Sequence, residues 1–169
     1  MNRIFTVTTT RLGPIVLTAR DGALTGAHFA DQKVVPAAFN GAVRGDADPL
    51  LQRAARALQR YLDTGELEVG LPLCPIGTAF QSRVWSAIAR IPVHETRTYR
   101  DIAHELGMRE AVRAVGAATG RNPLCIFIPC HRVIGSDGTL TGYAGGLDRK
   151  RALLALEQRT GCLDLVGEP

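Results

Sequence analysis

Cys130, His131 and Arg132 stand side by side, directly after the apolar and proline run Ile126-Phe127-Ile128-Pro129 that Cys125 opens. That order reads as a strand-like segment with a thiol delivered to its end. A thiol attacks carbon only as the thiolate, and burial raises its pKa, so a buried cysteine is inert unless a base takes its proton. The imidazole of His131 titrates near neutral pH and suits that task. A thiol beside a base, itself held by a third group, is the general form of an activated nucleophile. The same pattern also fits a cysteine that serves as a small core hydrophobe, and the Cys-His pair alone does not separate the two readings. As a metal set, Cys125, Cys130 and His131 are poor: the chain has no Cys-x-x-Cys pair and no fourth ligand at zinc spacing, so no metal is expected.

The elements that must hold these residues follow from composition and pattern. The chain has 169 residues, 46% hydrophobic and 21% charged. That is enough for one core or two small lobes packed together, and unlike a disordered chain. No apolar run approaches the ~20 residues that cross a bilayer, and the alternating N-terminus lacks the apolar stretch of a secretory signal. A cytoplasmic location and four reduced cysteines (Cys74, Cys125, Cys130, Cys162) are expected. The net charge of +4 permits a polyanionic partner without requiring one.

Residues 3–10 alternate as a strand, and two more strand-like runs follow, broken at Leu12-Gly13-Pro14 and Arg20-Asp21-Gly22. Leu50, Leu51, Ala54, Ala55, Leu58, Tyr61 and Leu62 recur at helical spacing, with Asp48-Pro49 as a start and Gly65 as a stop. A Pro- and Gly-bearing connector, 69–77, leads to a helix with Phe80, Val84, Trp85, Ile88 and Ile91 on one stripe, broken by Pro92. Two short helical patterns, 98–107 and 109–120, meet near Gly107, either as a plain hairpin of helices or as a helix-turn-helix. Ala111, Val115 and Ala118 would face inward on the second. Its small residues (Ala111, Ala114, Gly116, Ala117, Ala118) let it lie close against a large surface, with Arg113 projecting. After a turn at Asp137-Gly138, a last helix carries Leu147, Leu153, Leu154 and Leu156, and Glu157 beside that stripe can point inward. The fold class is α+β: a small antiparallel-sheet lobe with one helix over residues 1–76, then a mostly helical domain over 77–169.

Four ordered segments, FQSRVWSAIARIP (80–92), TYRDIAHELG (98–107), VRAVGAATGRNP (112–123) and IPCHRVIGSDGTLTGYAGGLDRKRALLALE (128–157), resemble the O6-alkylguanine-DNA alkyltransferases, that is, the methylated-DNA–protein-cysteine methyltransferases. The first 75 residues resemble them only in pattern. The resemblance implies a ribonuclease H-like N-terminal lobe and a winged-helix-like C-terminal domain with a helix-turn-helix. It implies that Cys130 accepts the alkyl group of O6-alkylguanine, and of O4-alkylthymine, in one irreversible transfer. His131 would act as base toward Cys130 through a water, and Glu157 would orient His131. Asn122 would brace the link between the DNA-reading helix and the active segment, and Tyr99 would give a proton to guanine N3. The backbone of Val133 and the loop bearing Tyr143 and Ala144 would close around the flipped base, with Lys150 supporting the loop. Arg113 would fill the gap left in the stack, while Ala111, Ala114, Gly116 and Thr98 would meet the DNA. The partner implied is double-stranded DNA with an alkylated guanine, bound through the minor groove by a monomer with no cofactor and no membrane.

Three positions depart from the family pattern: His94 where glycine is usual, Cys125 where small residues or proline are common, and Ala144 where some members carry serine. Cys125 lacks an adjacent base, so an inert thiol is expected. The alternatives are a non-catalytic helix-turn-helix or damage-sensing protein, which would have no use for the thiol that Cys130 retains, and a different thiol enzyme, which would turn over repeatedly.

Overall fold

The computed structural model describes residues 3–33, 39–68 and 70–163; Val69 of the expected connector and the side chain of Cys162 lie outside what it describes. β1 (Ile4–Thr10), β2 (Gly13–Arg20) and β3 (Ala23–Phe29) form an antiparallel meander, as the alternation predicts. Asp21 and Gly22 join β2 to β3 with φ of 53° and 76°, the paired positive values that a tight two-residue hairpin requires. A two-residue strand, β4 (Val43–Arg44), pairs parallel to β1 and completes the order β3-β2-β1-β4. It is too short to leave a pattern in the sequence.

The helix α1 (Pro49–Thr64) begins where Asp48 accepts a hydrogen bond from the Leu51 amide and ends at Gly65, φ 76°. Its buried stripe, Leu51, Ala54, Leu58, Tyr61 and Leu62, lies on the sheet. The β3 edge is not left open. Leu24 N donates to Pro72 O (2.8 Å) and Cys74 N to Leu24 O (2.7 Å). Farther along, Ala27 N donates to Pro123 O (2.8 Å) and Cys125 N to Ala27 O (2.9 Å). The first lobe therefore holds the start of the Cys130 segment as if it were one more short strand.

The second half contains α2 (Ala79–Ala89), β5 (Arg97–Thr98), α3 (Tyr99–Glu105), α4 (Val112–Gly120), β6 (Val133–Ile134) and α5 (Leu147–Leu163). β5 and β6 pair in parallel, an element that no sequence signal marked. Trp85 on α2 donates its indole N–H to Ala118 O on α4 (2.9 Å). One contiguous buried cluster runs from Leu17 and Leu58 through Trp85, Ile102 and Val115 to Val133 and Leu153. α3 and α4 form the expected reversal around Gly107, φ 70°. Val115 and Ala118 face inward as expected, but Ala111 is only half-buried. It ends a single 3-10 turn, Arg109–Ala111, which reverses the chain before α4 begins.

His94 sits third in the turn Pro92–Glu95, closed by Glu95 N to Pro92 O (3.3 Å), with φ 70°. The turn thus keeps the left-handed backbone that a glycine adopts freely, and the exposed imidazole carries the strain. Replacing His94 with glycine is expected to raise stability by about 0.5–1 kcal/mol, read as a Tm increase of ~2 °C in a thermal melt. A lower Tm would mean that the side chain contributes more than its backbone strain costs.

Candidate active site

The run into Cys130 is not the strand its composition suggests. After pairing with β3, the chain folds back at once. Phe127 N donates to Cys125 O (2.9 Å) across Ile126, whose φ is 73°. This is the rare three-residue turn with positive φ, and for a β-branched residue a genuine outlier. Pro129 (φ −78°, ψ 62°) makes the mirror form, with Cys130 N donating to Ile128 O (2.7 Å). Asn122 ties the double turn together: its Nδ2 donates to Ile128 O (2.8 Å) and its Oδ1 accepts from Leu124 N (3.0 Å). Ile126 and Ile128 are buried, so packing offsets a strain of roughly 1–3 kcal/mol. The apolar residues here signal burial, and the backbone is decided by Asn122 and the flanking prolines.

Cys130, His131 and Arg132 then form one 3-10 turn. With three residues per turn, consecutive side chains fan about 120° apart. This answers why two basic residues follow the cysteine: both reach Glu157 on α5. On α5 the buried stripe is Lys150, Leu153 and Glu157, and Leu147 is exposed rather than part of an apolar face. Glu157, 1% exposed, is fully engaged. It accepts from Tyr61 Oη (2.6 Å), His131 Nε2 (2.9 Å) and Arg132 (Nη2 2.8 Å to Oε1, Nε 3.0 Å to Oε2). Arg132 also donates to Ile91 O (2.6 Å). Burial alone would push the Glu157 carboxyl up, but the bonds from His131 and Arg132 overcome it and hold the group at about 2.

That ionised carboxylate fixes the histidine tautomer. Glu157 can only accept, and Tyr61 already spends its proton on it, so His131 Nε2 must carry the hydrogen. Nδ1 is left with its lone pair, buried and without a hydrogen-bond partner among the described residues. Burial pushes the His131 pKa down and Glu157 only partly restores it, so the ring rests neutral. A neutral imidazole with a bare nitrogen and a carboxylate behind it is a poised base.

Cys130 is 5% exposed. A hydrogen bond from Cys125 pulls its thiol below the ordinary range against the desolvation that would raise it, and the Asn122 amide and the Lys150 cation add to the pull. Lys150 is fully buried and donates to Val133 O (2.5 Å) and Thr141 O (2.9 Å). Tyr99 Oη also donates to Thr141 O (3.0 Å). Burial, and then the nearby charge of Cys130, keep that phenol protonated. Tyr143 lies half-buried with its hydroxyl 2.8 Å from Cys125 Sγ, and Ala144 is exposed. A cleft of about 1150 Å³ is lined by Asn122, Tyr143 and Ala144, with Arg3, Arg121 and Arg149 also in its walls.

Residues 79–159 match the family model described as "6-O-methylguanine DNA methyltransferase, DNA binding domain". A Methanosarcina barkeri methylated-DNA–protein-cysteine methyltransferase is 47% identical over 87% of this chain and 92% of its own. The chain belongs to the methylated-DNA–protein-cysteine methyltransferase family. The crystal structure of Mycobacterium tuberculosis O6-methylguanine methyltransferase superposes with a TM-score of 0.82 at 40% identity, covering 94% of each chain. A structure of the OGT protein of the same organism in complex with DNA gives 0.81 at 40% identity, over 95% of this chain and 94% of that one.

In this methyltransferase the residues singled out from sequence fall into two groups. Cys130, His131, Glu157, Asn122, Tyr99, Val133, Tyr143 and Lys150 gather around the double turn. Val133 contributes its backbone, since its carbonyl is held by Lys150 and its strand pairs with Arg97. Arg113 and Ala114 are exposed on the outer face of α4, with Gly116 half-buried beside them. A Cβ on Gly116 would reach 3.9 Å from the Tyr99 ring, so this helix lies directly over that tyrosine. Thr98 caps α3, accepting from Asp101 N (3.1 Å), which is a structural duty independent of any DNA contact. The sequence reading missed Tyr61 and Arg132. Tyr61 looks like one more residue of a helical stripe, although a buried tyrosine hydroxyl always needs a partner. Arg132 looks like a mere neighbour of the pair.

Proposed function

We propose that this protein repairs alkylated DNA by moving the alkyl group from O6 of guanine, and from O4 of thymine, onto its own Cys130, once per molecule. The observation that carries this reading is the neutral His131 with a bare Nδ1, hydrogen-bonded to the ionised Glu157 and next in the chain to the buried Cys130. His131 takes the Cys130 proton through a water, and the thiolate sulfur attacks the alkyl carbon. The S–C bond forms as the C–O6 bond breaks, and the electron pair passes into the guanine ring. Tyr99 turns its proton from Thr141 O to guanine N3 and so neutralises the departing base. The product is a thioether with no easy reversal, so the protein is consumed. No cofactor takes part.

The target base must leave the duplex to reach Cys130. The exposed small residues of α4 suit a close approach to the minor groove, and Arg113 beside Ala114 is placed to fill the vacated stack. Tyr143, beside Cys125, and the neighbouring Ala144 belong to the loop that would close on the base. The division we draw at residue 76/77 separates a DNA-reading, reacting part from a lobe that braces it through Tyr61 and the β3 edge. We place the protein in the cytoplasm as a monomer; no described helix is long and apolar enough to cross a membrane.

Incubation with a duplex carrying O6-methylguanine is expected to add one methyl group per protein, located on Cys130 by peptide mass analysis. Cys130→Ser should bind the DNA and gain nothing. Multiple turnover, or a label elsewhere, would sink the reading. Arg113→Ala is expected to slow repair in duplex DNA by ~10- to 100-fold, because extrusion of a stacked base costs a few kcal/mol. It should leave the rate with free O6-benzylguanine within about twofold. Equal loss on both substrates would assign Arg113 to the fold instead.

A further inference from the structure

We propose that Arg149 is a positioning residue for alkyl transfer: with Asp31 it latches the loop of residues 143–146 onto the first lobe, so that this lobe sets how tightly the loop closes on the base and which alkyl groups react fastest. The proposal rests on the reading of that loop as the one that closes on the flipped base. Arg149 lies in the first turns of α5, one residue before Lys150. Its guanidinium leaves the helix and reaches the end of the sheet where β2 starts and β3 finishes. Nε donates to Leu12 O (2.7 Å), and the two terminal nitrogens form a fork on the Asp31 carboxylate (2.8 and 2.9 Å). Nη1 also donates to Gly145 O (3.0 Å). Four of the five N–H groups a guanidinium carries are thus engaged, and its carbon lies 4.1 Å from the centroid of the Phe29 ring. Two glycines make room for this packing. A Cβ on Gly13 would come within 2.7 Å of Arg149 Nη2, and one on Gly145 within 2.5 Å of the Phe29 ring and 2.9 Å of the Tyr143 ring.

The loop is therefore held at two points. At Thr141 the hold comes from the second half of the chain, where Tyr99 and Lys150 donate to the same carbonyl. At Gly145 it comes from across the lobes, through Arg149 and Phe29. Between the two stand Tyr143, with its hydroxyl 2.8 Å from Cys125 Sγ, and the exposed Ala144. Gly146 N donates back to Tyr143 O (2.9 Å), which closes residues 143–146 into one turn. An Arg-carboxylate fork fixes orientation as well as distance, so the latch settles where that turn sits. A methyl group makes few contacts of its own, and its carbon lines up with the sulfur only if the loop holds the base in place. A bulky alkyl group packs against the walls itself and gains room from a looser loop.

The test compares single-turnover transfer from O6-methylguanine and from O6-benzylguanine placed in the same duplex, with hydrogen exchange at the Gly146 amide reporting on the loop. Arg149→Ala is expected to lower the methyl rate about tenfold, within the ~10²-fold that a misplacement of about 1 Å can cost. The benzyl rate should stay within about twofold. Protection at Gly146 should fall while the β1–β3 meander and the later turns of α5 keep theirs. Arg149→Lys keeps the charge but not the fork, and should resemble Arg149→Ala rather than the parent. Asp31 is exposed, so Asp31→Asn probes the latch without disturbing the core, and should shift the methyl-to-benzyl ratio in the same direction by a smaller factor. An unchanged ratio in Arg149→Ala, whether both rates fall together or neither moves, overturns the proposal, and so does parental protection at Gly146. If protection is lost as expected but the parent protein alkylates Cys130 from neither duplex, the latch on the loop stands and the assigned function fails.

Discussion

Glu157→Gln is expected to slow alkyl transfer by at least ~10²-fold and to destabilise the protein. When His131 takes the Cys130 proton, the imidazolium forms in a fully buried position. Its countercharge is Glu157, 2.9 Å away. A general base of this kind typically contributes 10²–10⁴ in rate, and only while its charged form is stabilised. Glutamine replaces an acceptor with an amide that presents N–H groups to Tyr61, His131 or Arg132, all of them donors. It also strands Arg132, 8% exposed, without its partner. Removing one member of a buried pair typically costs about 3–5 kcal/mol. Tyr61→Phe is the milder companion: it removes one bond to the carboxylate, worth about 1.5–3 kcal/mol, and leaves Arg132 paired.

The acid side of the stability curve carries the same signature. Glu157 is depressed from 4.5 to about 2, so its contribution is complete above about 4.5 and is lost as pH falls toward 2. His131 is also lowered from 6.5, so its contribution, present above that value, declines below it. Urea melts of the parent between pH 7 and 3 should therefore show stability falling steadily, and Glu157→Gln should flatten the portion below about pH 4.5. A variant of full stability, or one that transfers at the parental rate, would remove Glu157 from the network.

The sequence was legible where chemistry demands particular residue types, and opaque where geometry is set by distant contacts. Cys130-His131 announces itself as a dipeptide, and Glu157 is an acid placed where an apolar stripe should run. Each of the five α-helices among the described residues has a period or a cap that marks it, and Asp21-Gly22 specifies its own hairpin. By contrast, Tyr61 lies 96 positions from its acceptor, and nothing local distinguishes it from Leu58 or Leu62. The double turn before Cys130 was misread as strand because strand and buried turn share one composition. Only the Asn122 bonds and the β3 edge choose between them. Lys150 illustrates the converse. Its helical position alone does not tell a surface cation from a buried one; the carbonyls of Val133 on β6 and Thr141 in the following loop draw it into full burial, which gives the loop support that the family resemblance implies. The first lobe, which the family motifs barely touch, turns out to hold the reactive segment at both of its supports: β3 pairs its start, and α1 supplies the hydroxyl behind its base.

Alkylation of Cys130 is expected to lower the melting temperature of the protein. The sulfur sits in a packed site with Cys125, Asn122 and Lys150 as neighbours. A methyl group adds volume where there is little to spare, and overpacking of that kind typically costs ~1–3 kcal/mol. It also replaces the thiol that Asn122 and Lys150 face with an uncharged, bulkier thioether that serves them less well as a partner. The disturbance has a path to the DNA-reading helix. Asn122 bonds Ile128 O through its side chain, and its own amide donates to Thr119 O at the end of α4 (3.1 Å). If the methylated sulfur displaces Asn122, the last turn of α4 loses its anchor, and the helix that carries Arg113 loosens. For a chain of this size a loss of ~2 kcal/mol corresponds to a Tm drop of roughly 4–8 °C. Thermal melts of the unmodified and the stoichiometrically methylated protein, with DNA removed, measure it. Amide hydrogen exchange should show lost protection in α4 before the β1–β3 meander. An unchanged or raised Tm would mean that the pocket holds room for the product, and that no strain passes from Cys130 through Asn122 to the DNA-reading helix.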